Sequence, residues 1–362
     1  MNLKTGMLRG RPAYWIAIAV LLAGLFLSLL WAVTFGSVEL GMGDVYRVIL
    51  YKITEALHFP IGDPERYGSG SMSDIVWFVR LPRLVLAIGI GMALSTAGAV
   101  MQAIVKNPMA DPYILGVSSG ASLGATLAIL LGVGAFLGGG YVGVVAFAGA
   151  FLASLAVIAL ASIGGRANSV KLILAGTAMS AVCGAVSNFF LYVINTSSGA
   201  VEAVVRWTMG SLAGASWETN LWMLAVAVLG AAFFWSQHRT LNLMLLGDET
   251  AVTLGTDLHR WRVVYLLAVS LLVGFAVYTA GVIGFVGLVI PHVVRMLFGT
   301  DHKKLVPISA LLGAVFLLWS DVLCRVVLPG REIPIGVLTA LVGAPVFIYL
   351  MARKKYGFGG GD

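Results

Sequence analysis

Nine uncharged and strongly apolar stretches punctuate the sequence: Tyr14–Phe35, Leu84–Val105, Tyr113–Gly134, Tyr141–Ile163, Leu172–Asn195, Thr219–Gln237, Val263–Pro291, Leu305–Ser320 and Ile333–Ala352. A helix needs about 20 apolar residues to cross the hydrocarbon of a bilayer, and most of these stretches meet that length. The run Val263–Pro291 is too long for one span. It carries Gly281, Gly284 and Gly287 before Pro291, so we divide it near Gly281–Gly284, the second piece ending near Phe298. Ten spans result. With 59% hydrophobic and 11% charged residues, the 362-residue chain has too much apolar surface for a water-soluble core. We expect an all-α integral membrane protein of about ten transmembrane helices, forming one membrane domain over residues 1–362.

Lys and Arg set the orientation. Both termini are basic, with Lys4, Arg9 and Arg11 at one end and Arg353, Lys354 and Lys355 at the other. Both are therefore expected in the cytoplasm, which requires an even number of spans. Lys106, Arg166, Lys171, Arg239, Arg260, Arg262, Arg295, Lys303 and Lys304 then fall on the inner side too. The net charge of +7 reads as this positive-inside bias and not as nucleic-acid binding. Cys183 and Cys324 lie in apolar runs and read as small buried hydrophobes.

Two polar stretches stand out. Residues 36–79 form a long extracytoplasmic loop, with an amphipathic segment expected near Met42–Leu57 and irregular chain after it. Residues 236–262 form the longest inner loop. The Gly120/Gly124, Gly134/Gly138, Gly139/Gly143 and Gly210/Gly214 pairs are expected to let helices approach closely.

Enzymatic signals are weak. The chain has no zinc-protease helix motif, no nucleophile elbow and no phosphate-binding loop of the Gly-Lys-Ser/Thr kind, and its histidines are scattered. No catalytic residue, metal site or cofactor is assigned. An ion-coupled carrier would need several membrane acids around a cavity and often internal repeats. Only Asp321 interrupts a span.

Three blocks carry the function. The first is Arg80-Leu-Pro-Arg83, followed by an uncharged helix and by Gln102 through Asn107, Pro108 and on to Gly120. The second is Leu246-Gly-Asp-Glu-Thr-Ala-Val-Thr-Leu-Gly255. The third runs from Gly281 to His292 and continues in Asp321-Val-Leu-Cys-Arg325 and Ile333 to Phe347. In this order and spacing, from about Arg80 to Met351, the chain resembles the FecCD family of ABC permeases, which import ferric siderophores, haem and vitamin B12. The resemblance implies a permease that moves a metal chelate across a bacterial or archaeal plasma membrane by alternating access. The partners it implies are a second copy of the chain, two ATP-binding subunits that hold ATP and Mg, an extracytoplasmic substrate-binding protein and the surrounding lipid.

Residue roles follow from the resemblance and from elementary physics. Pro82 suits a first helical turn, whereas Arg80 and Arg83 oppose the positive end of a helix dipole there. They point to an acidic partner, and the resemblance makes them, with Arg325, the docking residues for the binding protein. Lipid headgroup contact is the alternative. Asp321 lies one turn before Arg325, so an intrahelical pair competes for that arginine. Leu246–Gly255 reads as a short helix with Asp248 and Glu249 in its first turn and Gly255 as its stop. The resemblance makes this the coupling segment that seats on the ATPase, with Leu245, Leu246, Ala251 and Leu254 giving the apolar contact and Gly247 within it. Arg206, Trp207 and Met209 are candidates for the substrate pathway, Arg206 for an anionic group. Pro82, Asn107, Pro108, Gly281, Gly284, Gly287, Pro291 and Asp321 are expected to be structural.

Overall fold

The computed structural model describes residues 11–36, 38–163, 165, 167–194 and 198–353, except the side chains of Arg11, Ser198, Glu249, Leu350, Met351 and Arg353. Lys4, Arg9, Arg166, Lys354 and Lys355 lie outside the described residues. Fourteen helices and no strand are found among those described. Seven helices are long and apolar enough to span: α1 (Arg11–Ala32), α3 (Ser71–Val105), α5 (Tyr141–Ser162), α6 (Ser169–Val193), α8 (Trp217–Ser236), α11 (Leu258–Ala280) and α13 (His302–Val326). Three shorter apolar helices, α4 (Val117–Leu131), α12 (Val286–Phe298) and α14 (Ile335–Arg353), complete the set. The polar helices are α2 (Met42–Ala56), α7 (Ser198–Thr208), α9 (His238–Leu246) and α10 (Asp248–Thr253).

Helix α3 is the axis of the bundle. In its most apolar window 83% of residues are buried, against 17% in α6 and 6% in α1. Its small residues let neighbours close in. A Cβ on Gly98 would stand 1.8 Å from the carbonyl oxygen of Gly287, and one on Gly120 would stand 2.4 Å from that of Gly149. In lipid, such backbone approach supplies the packing that water-driven collapse supplies elsewhere. The Gly120/Gly124 pair thus packs α4 on α5. Gly138, Gly139 and Gly214 meet nothing, so those three do not serve as contacts.

The second span starts earlier than the charge pattern implied. The helix begins at Ser71, and Pro82 falls in the first turn of its regular α-helical part, Leu81–Val105. A widened π stretch, Ile75–Arg80, precedes the proline. Such turns absorb the missing donor and the ring clash that proline brings. The outer loop is more ordered than expected. Helix α2 matches the amphipathic segment, but Pro64–Gly68 forms a further helical turn. Val45, Val48, Tyr51 and Tyr67 pack with Val33, Leu84 and Leu318 as a small second core over one end of the bundle.

Two connections break the helical order inside the bundle. Lys106 ends α3 in the left-handed conformation (φ 55°), and Asn107 accepts the Met109 N–H at 2.9 Å just before the chain turns back. Between α11 and α12 the chain is open from Gly281 to Phe285, so the long apolar run divides where its glycines implied.

Candidate functional site

The two interrupted segments meet. Tyr113, in the 3-10 turn Pro112–Leu115, donates its hydroxyl to the Ile283 carbonyl at 3.1 Å and accepts the Ile283 N–H at 3.3 Å. The end of α7 joins them: Ser211 N–H donates to the Ala280 carbonyl at 2.8 Å, and Gly336 N–H at the start of α14 donates to the Met209 carbonyl at 3.0 Å. Irregular backbone is tolerated at membrane depth only where protein or a cavity satisfies it. Phe285 holds φ 68°, a left-handed conformation that costs of order 1–3 kcal/mol for a residue with a Cβ. Gln102 on α3 fixes the far side of the break. Its amide donates to the Leu288 carbonyl at 3.2 Å, and its oxygen accepts from Arg295 at 2.7 Å.

Two cavities open at this junction. One, of about 650 Å³, is apolar and lined by Met209, Val282, Phe285, Val337, Leu341 and Pro345. The other, of about 370 Å³, lies among α4, α6 and α7 and is lined by Ser118, Ser122, Thr126, Ser187 and Asn188. Thr208 and Val282 belong to both. Met209 therefore lines a cavity as expected of a pathway residue. Trp207 packs against the main core instead. Arg206 lines neither cavity; it is exposed and paired with Glu202 one turn back.

At the outer end lies a compact charge cluster. Arg83 Nε stands 2.6 Å from Asp321 Oδ1, and its Nη1 stands 2.9 Å from Glu332. Arg325 Nε lies 3.1 Å from the other Asp321 oxygen. Arg80 donates to the carbonyls of Val33, Thr34 and Val38 and so closes the exposed end of α1. All three arginines are buried, at 2%, 5% and 7% exposure for Arg80, Arg83 and Arg325. In this chain their donors are turned inward, and the carboxylates facing Arg83 are its own Asp321 and Glu332, so a partner carboxylate would meet Arg83 only in competition with Glu332. Asp321 and Arg325 do form the intrahelical pair that their spacing implied, with Arg83 as an added member.

At the opposite end, Gly247 (φ 104°) separates α9 from α10. Helix α10 therefore starts at Asp248, and Leu246 belongs to α9. Asp248 accepts from Arg262 at 2.7 Å and lies 3.9 Å from Lys106 Nζ; Arg262 also donates to the Ala167 carbonyl at 2.7 Å. Ala251 is buried, and Gly255 (φ 79°) ends the element as expected. Leu246, Val252 and Leu254 are 60%, 56% and 61% exposed, while Leu245 packs on the core. The outward apolar face is thus Leu246, Val252 and Leu254. The Glu249 side chain lies outside the described ones. Beside this end, Asp301 caps α13 by accepting the Lys303 N–H at 3.0 Å and the Asn242 amide at 2.9 Å. Burial pushes its carboxyl up, but the Asn242 and Lys303 hydrogen bonds outweigh that and hold it below the usual carboxylate value.

Sequence reasoning missed α7, Glu332, Gln102, Arg262 and the Asp301–Asn242 pair. Of these the Asp301 cap had a local signal, an acid immediately before a helix that opens with His302-Lys-Lys, and α7 had its amphipathic period.

Residues 21–353 match the model of the FecCD transport family. The chain belongs to that family. A Bacillus subtilis permease named YvrB, an uncharacterized ABC transporter permease protein, is 38% identical over 92% of each chain. The cobalamin import system permease BtuC of Halobacterium salinarum is 43% identical over 83% of this chain and 79% of its own. A solved metal-chelate type ABC transporter in an inward-facing conformation superposes with a TM-score of 0.76 at 30% identity, covering 93% of this chain and 99% of that one. This FecCD protein is an ABC importer permease of the membrane, a transport subunit. Its broken segments, its cavities and the exposed apolar face of Leu246, Val252 and Leu254 belong to that subunit.

Proposed function

We propose that this permease carries a metal chelate inward by alternating access, as one of two copies driven by two separate ATP-binding subunits and fed by an extracytoplasmic substrate-binding protein. The observation that supports this most is the joint at Tyr113–Ile283. Two helices interrupted at one place, held by a few hydrogen bonds, can rearrange without unzipping a span. Around it α6 and α14 present large exposed apolar faces, including Leu174, Val182, Phe189, Leu341 and Ile348, on which a second copy fits. The face of Leu246, Val252 and Leu254 gives an ATPase an apolar seat. Asp248, clamped by Arg262 and adjacent to Lys106, links that seat to α11 and to the end of α3.

Leu254→Asp tests the coupling. Leu254 is mostly exposed and lies outside every span, so the variant is expected to insert normally, yet it buries an unpaired charge at the contact, which is costly. Substrate-stimulated ATP hydrolysis and uptake should fall together. Wild-type uptake by both Leu254→Asp and Gly255→Pro would remove the coupling role from this segment. A corrinoid is the cargo favoured by the cobalamin permeases among the relatives, with ferric siderophores and haem as the other chelate classes.

A further inference from the structure

The two cavities at the junction differ in chemistry but share an edge. One wall is apolar, built around Phe285 and Leu341. The other is lined by Ser118, Ser119, Ser122, Thr126, Thr208 and Asn188; the Thr126 and Thr208 hydroxyls donate to the Ser122 and Val205 carbonyls and keep only their acceptor capacity. Among the described residues no Asp, Glu, Lys, Arg or His lines either one. Ser187, a residue only 8% exposed, belongs to the second lining, and its hydroxyl has no hydrogen-bond partner among the described residues. A buried hydroxyl left without a partner costs free energy that a ligand group can return.

An ion entering such a place loses its hydration and gains no counter-charge. Hydroxyls and amides partly replace water for a neutral amide, but desolvating a carboxylate against them is far more costly. Arg206, close in sequence, lines neither cavity and is paired with Glu202. An apolar wall beside a small set of convergent polar groups is the usual form of a small-molecule site.

We propose that the junction at Thr208 and Val282 is a transit site for chelates with an apolar body and an uncharged, hydrogen-bonding periphery of amides or hydroxyls, and that it selects against chelates bearing free carboxylates. Ser187 serves as a hydrogen-bonding contact for that periphery. The inference rests on the importer reading and narrows its substrate class. It places part of the selectivity in the permease itself, downstream of whatever delivers the substrate.

The test uses probes that differ only in charge. The assembled transporter in lipid nanodiscs, without binding protein, is equilibrated with cyanocobalamin or with the derivative in which one peripheral amide has been hydrolysed to the carboxylate. A second pair is haem dimethyl ester and haem. In at least one pair the neutral member is expected to bind about tenfold or more tightly, and Ser187→Ala is expected to weaken that binding several-fold. Ser122→Lys, which places a cation in the lining, should shift preference toward the carboxylate member. Equal binding within both pairs, tighter binding of the acids, or no binding of any probe would overturn the inference. Uptake in proteoliposomes supplied with binding protein is measured in parallel. If ATP-driven uptake persists while the charge preference is absent, the lining inference fails and the importer reading stands.

Discussion

Asp321 should be the most costly single charge to remove from this protein. It is fully buried, 2.6 Å from the Arg83 guanidinium and 3.1 Å from that of Arg325. The second contact lacks hydrogen-bond alignment, so it acts mainly as charge on charge. The cluster holds three guanidiniums, of Arg80, Arg83 and Arg325, and two carboxylates, of Asp321 and Glu332. Asp321→Asn preserves volume, so no cavity term enters. It leaves two buried arginines facing each other with only the half-exposed Glu332 to balance them. Breaking a buried ion pair from one side costs roughly 3–5 kcal/mol, and repulsion between the two arginines places this case toward the upper end. Arg325→Met should cost less, because Arg83, Asp321 and Glu332 remain connected, and the Phe35 carbonyl that loses its 3.1 Å donor is partly accessible. The measurement is equilibrium unfolding in mixed micelles titrated with dodecyl sulfate. A variant Asp321→Asn with the wild-type midpoint, or an Arg325→Met that unfolds earlier than it, would refute this description of the cluster.

Other consequences are direct. Replacing Asp301 by Ala should remove the α13 cap and about 0.5–2 kcal/mol. Because its carboxyl is held below the usual value, its contribution is present above about pH 4, where the unfolded chain is already ionised, and is lost as pH falls further; the variant's unfolding midpoint should thus change less than wild type between pH 5 and pH 3. Glu332→Gln should strengthen association of the binding protein measured at low salt, since a partner carboxylate reaches Arg83 only by displacing Glu332; weaker or unchanged association would exclude Arg83 as the contact. Cysteines at Arg66 and Arg239 should be labelled from opposite sides of the membrane, Arg66 from outside; labelling of both from one side would contradict the ten-span orientation.

The spans were legible because each needs only a sustained absence of charge, and even the division of the longest run showed in Gly281 and Gly284. What the sequence hid was tertiary. Arg83 precedes Glu332 by 249 positions, and nothing local says that they touch. The arginines looked like the start of a span because charge ended there, but a π stretch carries the helix back to Ser71. Helix α7 escaped notice because Glu202 and Arg206 interrupt its apolar pattern and only its amphipathic period marks it. In the segment Leu246–Gly255 the motif was visible, but the positive-φ glycine at 247 turns the chain, so Val252 and not Leu245 faces outward.

The central claim is that this permease moves its cargo by ATP-driven rearrangement. Proteoliposomes containing the chain, its ATPase and its binding protein, loaded with ATP and given a labelled chelate, measure it directly. Uptake that requires ATP and is unaffected by collapsing proton and sodium gradients is the predicted result. Uptake driven by an ion gradient in the absence of ATP would contradict it.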